Sequence, residues 1–505
     1  MRMKAKRYLI AVSLLLTTSV MAGDYPIVDT GQIDCYNVSQ PMEAPDPGEE
    51  FYGQDAQYNE IQLSPQYRDN GDGTVSDINT GLMWVQARGD KMSWTNAYEG
   101  AAECEVGGYD DWRMPTIKEL YSLILFTGNT QPTIEASTPF LNADYFGFEY
   151  GDEDMGERII DCQDWSATEY IGLTMGGDTT VFGVNFADGR IKGYPKYRRE
   201  QNMADNKLYV RYVRGNSDYG TNDFVDNQDG TLSDRATGLM WMQSDSETGM
   251  NWQEALVWVQ EKNNEEYLGY SDWRLPNAKE LQSLLDYSEA PKVTGNPAID
   301  PVFDCSEIEV EDGSEDYPFY WTNTTHMDGP GDQQYRKAVY LCFGTAYGWM
   351  QPPPRFEWKL LDVHGAGAQR SDPKEGDAED YPHGFGPQGD VIRVDNYVRM
   401  VRGESDPYSV VEDRSELPTG TLLIKSYPNP FNSSTTIEYY LDKTGPVKLN
   451  IFTLNGEFVT QVYKSVQKLG NHSLIWDASW LPTGGYLLKV STPLNTSVQK
   501  LTLIK

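Results

Sequence analysis

Two hydrophobic patterns alternate along this chain. Short alternating runs broken by turn dipeptides predict strands. The turns are Asp72-Gly73 and Asp229-Gly230, then Thr80-Gly81 and Thr237-Gly238, where glycine supplies the positive φ of a tight turn. Apolar residues at helical spacing, Leu120 with Leu123 and Ile124 and again Leu281 with Leu284 and Leu285, predict helices. Each helix has a start signal. Thr116 and Glu119, and likewise Asn277 and Glu280, stand at capping-box spacing, where the first side chain accepts from the third helical backbone N–H and the Glu reaches back. The pattern therefore predicts a short antiparallel meander ending on a buried Trp, followed by one or two helices and long loops.

The pattern occurs twice. Asp69-Asn70-Gly71-Asp72-Gly73-Thr74-Val75-Ser76-Asp77 and Thr80-Gly81-Leu82-Met83-Trp84 return as Asp226-Asn227-Gln228-Asp229-Gly230-Thr231-Leu232-Ser233-Asp234 and Thr237-Gly238-Leu239-Met240-Trp241. Trp94 with Ala97 returns as Trp252 with Ala255, and Gly108-Tyr109-Asp110-Asp111-Trp112-Arg113-Met114-Pro115 as Gly269-Tyr270-Ser271-Asp272-Trp273-Arg274-Leu275-Pro276. Lys118-Glu119-Leu120 matches Lys279-Glu280-Leu281, and each copy closes on a strand of the form YVRxVRG, at 209–215 and 397–403. The acids flanking Trp112 and Trp273 read as ion pairs with their neighbours, Asp111 with Arg113 and Asp272 with Arg274, holding the loop to the helix. The copies differ in their loops. The first has an acidic stretch at Gly151–Glu157. The second has an acidic run from Glu307 to Asp316 and a Gly/Pro-rich insert, about 351–390.

The ends differ from the middle. Residues 1–22 have a basic start, an apolar run and small residues at Val20-Met21-Ala22, the three parts of a secretory signal, with cleavage expected between Ala22 and Gly23. Residues 23–56 form an N-terminal extension, and the polar segment 404–420 reads as a linker. In 421–505, short alternating runs (435–441, 447–453, 458–463, 473–476, 486–490, 500–504) predict a small all-β sandwich of immunoglobulin type.

The order DNGDGTxxD, TGLMW, GYxDWRxP, KEL, Trp165-Ser166-Ala167-Thr168 or Trp321-Thr322-Asn323-Thr324, and YVRxVRG resembles the Lcl C-terminal domain family, over about 57–215 and 219–403. The resemblance implies α+β modules with a C-type-lectin-like fold on an exported protein. The family's namesake is an adhesin that binds sulfated glycosaminoglycans. Many relatives carry a Cys where Tyr212 and Met400 stand here, so Cys104 lacks the partner the resemblance implies. At the other end, Tyr427-Pro428-Asn429-Pro430-Phe431-Asn432, Leu454-Asn455-Gly456-Glu457, Gly484-Gly485-Tyr486 and Leu503-Ile504-Lys505 resemble the C-terminal sorting domain of the type IX (Por) secretion system, over 421–505. That resemblance implies the type IX machinery as partner, passage through the periplasm, and a final place outside the cell or on the outer-membrane surface.

The formal net charge is −35. The acids crowd the middle of the chain, since 1–22 carries no acid and 421–505 carries eight Lys against four acids. Such a surface repels phosphate backbones and anionic membranes, which argues against nucleic acid and against a polyanionic glycan. No later segment is apolar for long enough to span a bilayer. The five cysteines leave one unpaired within the chain, and Cys305 with Cys342, in the same repeat, is the expected bridge.

The first repeat has no histidine, which excludes a shared histidine-based mechanism. His364 and His383 in the insert are candidates for a metal pair. Asp69, Asp72, Asp226 and Asp229 read as turn residues, with calcium as the alternative, although their spacing is not that of an EF-hand loop. No other cofactor is expected. Tyr320, Tyr347 and Trp349 are candidates for stacking on sugar rings. The reading that follows is a non-enzymatic secreted or cell-surface binding or adhesion protein, with a neutral glycan or a surface protein as partner. The alternatives are a glycan-active enzyme using carboxylates between Glu307 and Asp316, or a structural envelope component.

Overall fold

A computed structural model describes residues 25–198, 202–352, 357–403, 424–427, 429, 431–441, 445–454, 458–467, 470–492 and 496–505. The expected signal, with its cleavage between Ala22 and Gly23, and the linker 404–420 lie outside the described residues.

The first module opens as an antiparallel meander, β1 (Tyr67–Asp69), β2 (Thr74–Asp77) and β3 (Leu82–Val85). Helices α1 (Trp94–Gly100) and α2 (Ile117–Ser122) follow, then β4 (Asp164–Glu169), β5 (Thr180–Asn185), β6 (Arg190–Pro195) and the closing β7 (Val213–Gly215), which pairs with β3. The second module repeats the series: β8 (Phe224–Asp226), β9 (Thr231–Asp234), β10 (Met240–Met242), α3 (Trp252–Asn264), α4 (Ala278–Ser283), β11 (Phe319–His326) and β12 (Lys337–Cys342). An added hairpin, β13 (Tyr347–Met350) with β14 (Lys359–Asp362), precedes β15 (Gln369–Pro373) and the closing β16 (Val401–Arg402).

The repeated motifs have one structural job each. Trp84 and Trp241 are fully buried at the end of their meanders. In the WSAT and WTNT strands, the Trp165 and Trp321 indoles donate to the carbonyls of Met92 (3.0 Å) and Met250 (2.9 Å). The Thr168 and Thr324 hydroxyls accept the first backbone N–H of α2 (2.9 Å) and α4 (3.0 Å). Both capping boxes form as the spacing predicts.

Their glutamates do more than cap. Glu280 accepts the Asn277 N–H at 2.9 Å and holds the Arg274 guanidinium in a two-pronged pair at 2.6 and 2.7 Å. Glu119 and Arg113 repeat the arrangement. The aspartates expected to partner these arginines instead pair with the closing strands, Asp111 with Arg214 (2.5 Å) and Asp272 with Arg402 (2.7 Å). The cause is reach. Each capping glutamate is buried beside its arginine, whereas the aspartates are exposed at the loop rim, where the last arginine of YVRxVRG passes.

The modules share one sheet. Its order is β11-β12-β15-β6-β5-β4, antiparallel throughout, so three strands of each module meet at β15 and β6, where Gln369 pairs with Ile191. A single apolar core crosses the junction, with Trp84, Leu120 and Phe182 on one side and Trp241, Leu281 and Leu341 on the other. The helices cross-brace reciprocally. Lys118 donates to the carbonyl of Ser283 (2.7 Å) and Lys279 to that of Ser122 (2.9 Å), equivalent positions exchanged as a two-fold axis requires. The N-terminal extension is threaded into this junction. Gln32 bonds the carbonyls of Phe126 and Thr325, and Asp55 accepts from Thr30 (2.8 Å) and Thr324 (2.5 Å).

Two expectations change. The insert 351–390 was read as loop, yet it supplies β15, an inner strand of the sheet. Its polar sequence, Gln369-Arg370-Ser371-Asp372, hides that role because its charges are paired internally. The Cys305–Cys342 bridge is absent, and all five cysteines are free. Strand residues alternate between faces. Cys342 packs with Phe319 and Trp321 on one face of the sheet, and Cys305 packs against the core of Tyr320 on the other.

In 424–505, a three-stranded sheet (Ile424–Tyr427, Ser434–Leu441, Gly470–Asp477) faces a four-stranded one (Phe458–Gln467, Gly445–Thr453, Gly484–Ser491, Thr496–Leu503). Ile437, Leu449, Ile451, Trp476 and Leu488 fill the space between them.

Two stability predictions follow from the junction. Arg274→Ala leaves Glu280 as an unpaired buried charge and costs about 3–5 kcal/mol, with Arg113→Ala costing less because Arg113 is one-third exposed; urea unfolding of the two variants measures both. Burial, reinforced by Asp29, pushes the Asp55 carboxyl up from 3.8 to about 7. The folded state therefore binds more protons than the unfolded one across that window, and this contribution to stability declines as pH rises through it. Asp55→Asn flattens the fall in melting temperature over that range relative to wild type; an unchanged slope would refute the assignment.

Candidate functional site

Helix α3 is amphipathic in a way α1 is not. Trp252, Ala255, Leu256 and Val259 point into the core. Glu254, Val257, Trp258 and Glu261 lie on the other side, on one wall of a cleft of about 510 Å³. The N-terminal extension supplies the opposite wall through Val38 and Phe51, and Lys374 and Glu375 follow β15 into it. In the first module the equivalent helix ends at Gly100 after 7 residues, against 13 in α3: Glu99 and Gly100 stand where Val257 and Trp258 do, and the stretch that carries Glu261 has no counterpart in α1.

The electrostatics of the cleft are one-sided. Lys374 is fully buried, donates to the carbonyls of Tyr36 (3.1 Å) and Asn37 (3.2 Å), and sits 4.4 Å from the Trp252 ring centroid. Burial holds its pKa well below the usual lysine range. The remaining charges are carboxylates: Glu254, Glu261 and Glu375. Nearby, burial raises the Asp395 pKa, with Glu254 and Asp377 adding to it through like-charge repulsion. The cleft therefore offers an indole, the amides of Asn251 and Gln253, and carboxylate acceptors. A polyhydroxylated ring can stack on the first and hydrogen-bond the others.

The aspartates held open for calcium are engaged in their own turns. Asp69 accepts from the Gly71 N–H (2.8 Å) and Asp226 from that of Gln228 (2.8 Å). Asp72 and Asp229 each accept from the Thr two residues on, through both backbone and hydroxyl. Among the described residues no three carboxylate, thiol or imidazole groups gather as a metal site.

A family model of the Lcl C-terminal domain matches residues 73–214 and 230–356, more than half of the chain. The chain belongs to the Lcl C-terminal domain family. The secretion system C-terminal sorting domain matches residues 425–505, which marks the protein for export by the type IX system to the cell surface or beyond. No helix among the described residues is long and apolar enough to cross a membrane. No curated protein matches the chain. Among solved structures, dimeric latent PorU from Porphyromonas gingivalis aligns at 9% identity with a TM-score of 0.16, over 64% of this chain and 26% of that one. A likeness that slight carries no argument about fold.

Within the second Lcl module the remaining candidates scatter. His364 is buried and bonds Asp390 at 2.9 Å, and burial, with the Arg370 charge, drives its pKa well below the usual value. His383 lies flat on Trp358, ring centroids 4.2 Å apart. Tyr320 and Tyr347 are buried, their hydroxyls given to Asp245 (2.5 Å) and Asp316 (2.8 Å), and Trp349 is half-buried with its ring edge-on to His383. Half of the acidic run is likewise committed. Glu311 pairs with Arg393, Asp312 caps the turn at Ser314, and Asp316 accepts from Tyr317, Thr345 and Tyr347. A smaller cleft of about 270 Å³ includes Glu289, Asp304, Cys305, Glu307 and Tyr317 in its lining. Trp258 was missed from the sequence. The available signal was Val257-Trp258, an apolar pair on the face opposite Trp252, Ala255 and Val259 of a helix whose other outward positions are polar or charged.

Proposed function

We propose that the protein is a non-enzymatic binding protein, exported by the type IX system, whose second Lcl module takes a neutral glycan in the α3 cleft. The observation that carries this reading is the Trp258 wall, set among amides and carboxylates, where the neighbouring cation Lys262, 5.6 Å from the Trp258 ring centroid, is already paired with Glu265 at 2.8 Å. A stacked indole supplies apolar contact to a sugar ring, and the acceptors orient its hydroxyls. A C-type-lectin-like reading of the modules accords with that use, and so does the acidity of the chain, which disfavours sulfated glycans. Of the carboxylates the enzymatic alternative would use, Glu311, Asp312 and Asp316 are spent on Arg393, a turn and Tyr347, which leaves Glu307 in the smaller cleft with Glu289 and Asp304. The proposal needs no calcium, because the turn aspartates already have partners.

The test is an array of neutral, amino and sulfated glycans probed with the full secreted chain, in calcium and again in EDTA. Neutral glycans are retained in both buffers, and Trp258→Ala weakens that retention by about tenfold or more, the worth of one good aromatic contact. Retention of sulfated glycans alone, no retention at all, or an unaffected Trp258→Ala variant refutes the reading. Loss in EDTA returns calcium to the turn aspartates.

A further inference from the structure

We propose that Lys118 and Asn222 condense into an isopeptide bond that covalently joins α2 of the first module to the opening of the second. Three groups are already in place. The Lys118 Nζ lies 3.0 Å from Asn222 Oδ1. The Asn222 amide nitrogen, which would leave, donates to Asp234 Oδ2 at 2.7 Å. Asp234 is fully buried, fixed by the Asp223 and Ala236 N–H groups and the Thr237 hydroxyl. Amine, amide and carboxylate thus follow one another at hydrogen-bond distance.

The surroundings favour reaction. Lys118 also donates to the carbonyls of Gly220 (3.1 Å) and Ser283 (2.7 Å). Once neutral, the amine keeps two N–H groups for these carbonyls, and its lone pair turns to the third direction, toward the Asn222 amide. Desolvation lowers the Lys118 pKa to about 8, with Asp234 and Asp286 opposing, so a fraction of the amine is neutral near pH 7. Tyr25 and Tyr219, in edge-to-face contact at 4.5 Å, wall the site, with the Tyr25 ring 5.9 Å from the amine. Holding the partners together supplies a large effective concentration.

The atoms balance without a co-reactant. Nζ attacks Cγ of Asn222 and the Nζ–Cγ bond forms. The Asp234 carboxylate takes the proton released from Nζ and passes it to Nδ2. The Cγ–Nδ2 bond breaks with its electron pair on nitrogen, and one ammonia departs. Nothing is oxidised or reduced. Lys279 provides an internal control. Its pKa is also lowered to about 8 by burial, and it holds two carbonyls across the same junction, those of Asp29 and Ser122, with no side-chain amide among its acceptors.

Mass spectrometry of the full folded chain decides. The intact protein is expected to be lighter by one ammonia than its sequence requires, while Asn222→Ala shows its full mass. Trypsin fails to cut after Lys118 and releases a branched peptide joining Lys118 to Asn222, and Lys279 is found unmodified. Asp234→Asn abolishes the branch. Recovery of a linear peptide cut after Lys118 together with an intact Asn222, or of Asn222 deamidated to aspartate without a branch, overturns the proposal. The wild-type digest alone suffices if a variant does not fold.

Discussion

A three-stranded sheet with an open inner edge is an incomplete structure, and this constraint organises the molecule. Each module builds three strands and leaves one flank with unpaired backbone groups, which in water invite association with other chains. Here the two flanks meet each other. The contact between β6 and β15 is short, a single paired position at Ile191 and Gln369. Other layers therefore secure it: the common core, the exchanged lysines of α2 and α4, and charge pairs across the join such as Arg190 with Asp328 at 2.6 Å. Removing one partner of such a pair would leave the other as an uncompensated charge at the join.

What the sequence made legible was local. Turn glycines, capping boxes and the repeated tryptophans act over a few residues, and each lies where its chemistry requires. What it concealed depended on partners distant in the chain. Strand β15 reads as a polar loop because its charges are answered by residues such as Asp390. The extension reads as an appendage, although Gln32 and Asp55 supply polar groups the junction needs. Arg113 was assigned the nearest acid in sequence rather than the one the helix cap brings to it. The bridge between Cys305 and Cys342 failed on strand alternation, a property of the sheet that spacing alone does not display. In the candidate site, the acidity was plain from composition, but the cleft comes from a helix and an extension that no local pattern brings together.

The two copies have diverged in use while keeping their scaffold. The arginine–glutamate pairs, the aspartate–arginine pairs of the closing strands and the indole bonds of the repeated tryptophans are present twice with equivalent partners. The differences concentrate in α3, in the β13–β14 hairpin and in the loops of the second module, where the α3 cleft lies. The first module, with its shorter helix and tight turn between β5 and β6, reads as the brace against which the second displays its surface.

The shared core has a further meaning. What was copied in this chain is a stretch of roughly one module, but what stands as a stable object is the pair. Cutting at residues 216–218, the natural seam by sequence, would bare the inner edges of both sheets and split a core that neither half encloses. The unit of inheritance and the unit of folding are different lengths of polypeptide here. A lone copy would have to find a second like itself before it could persist in water.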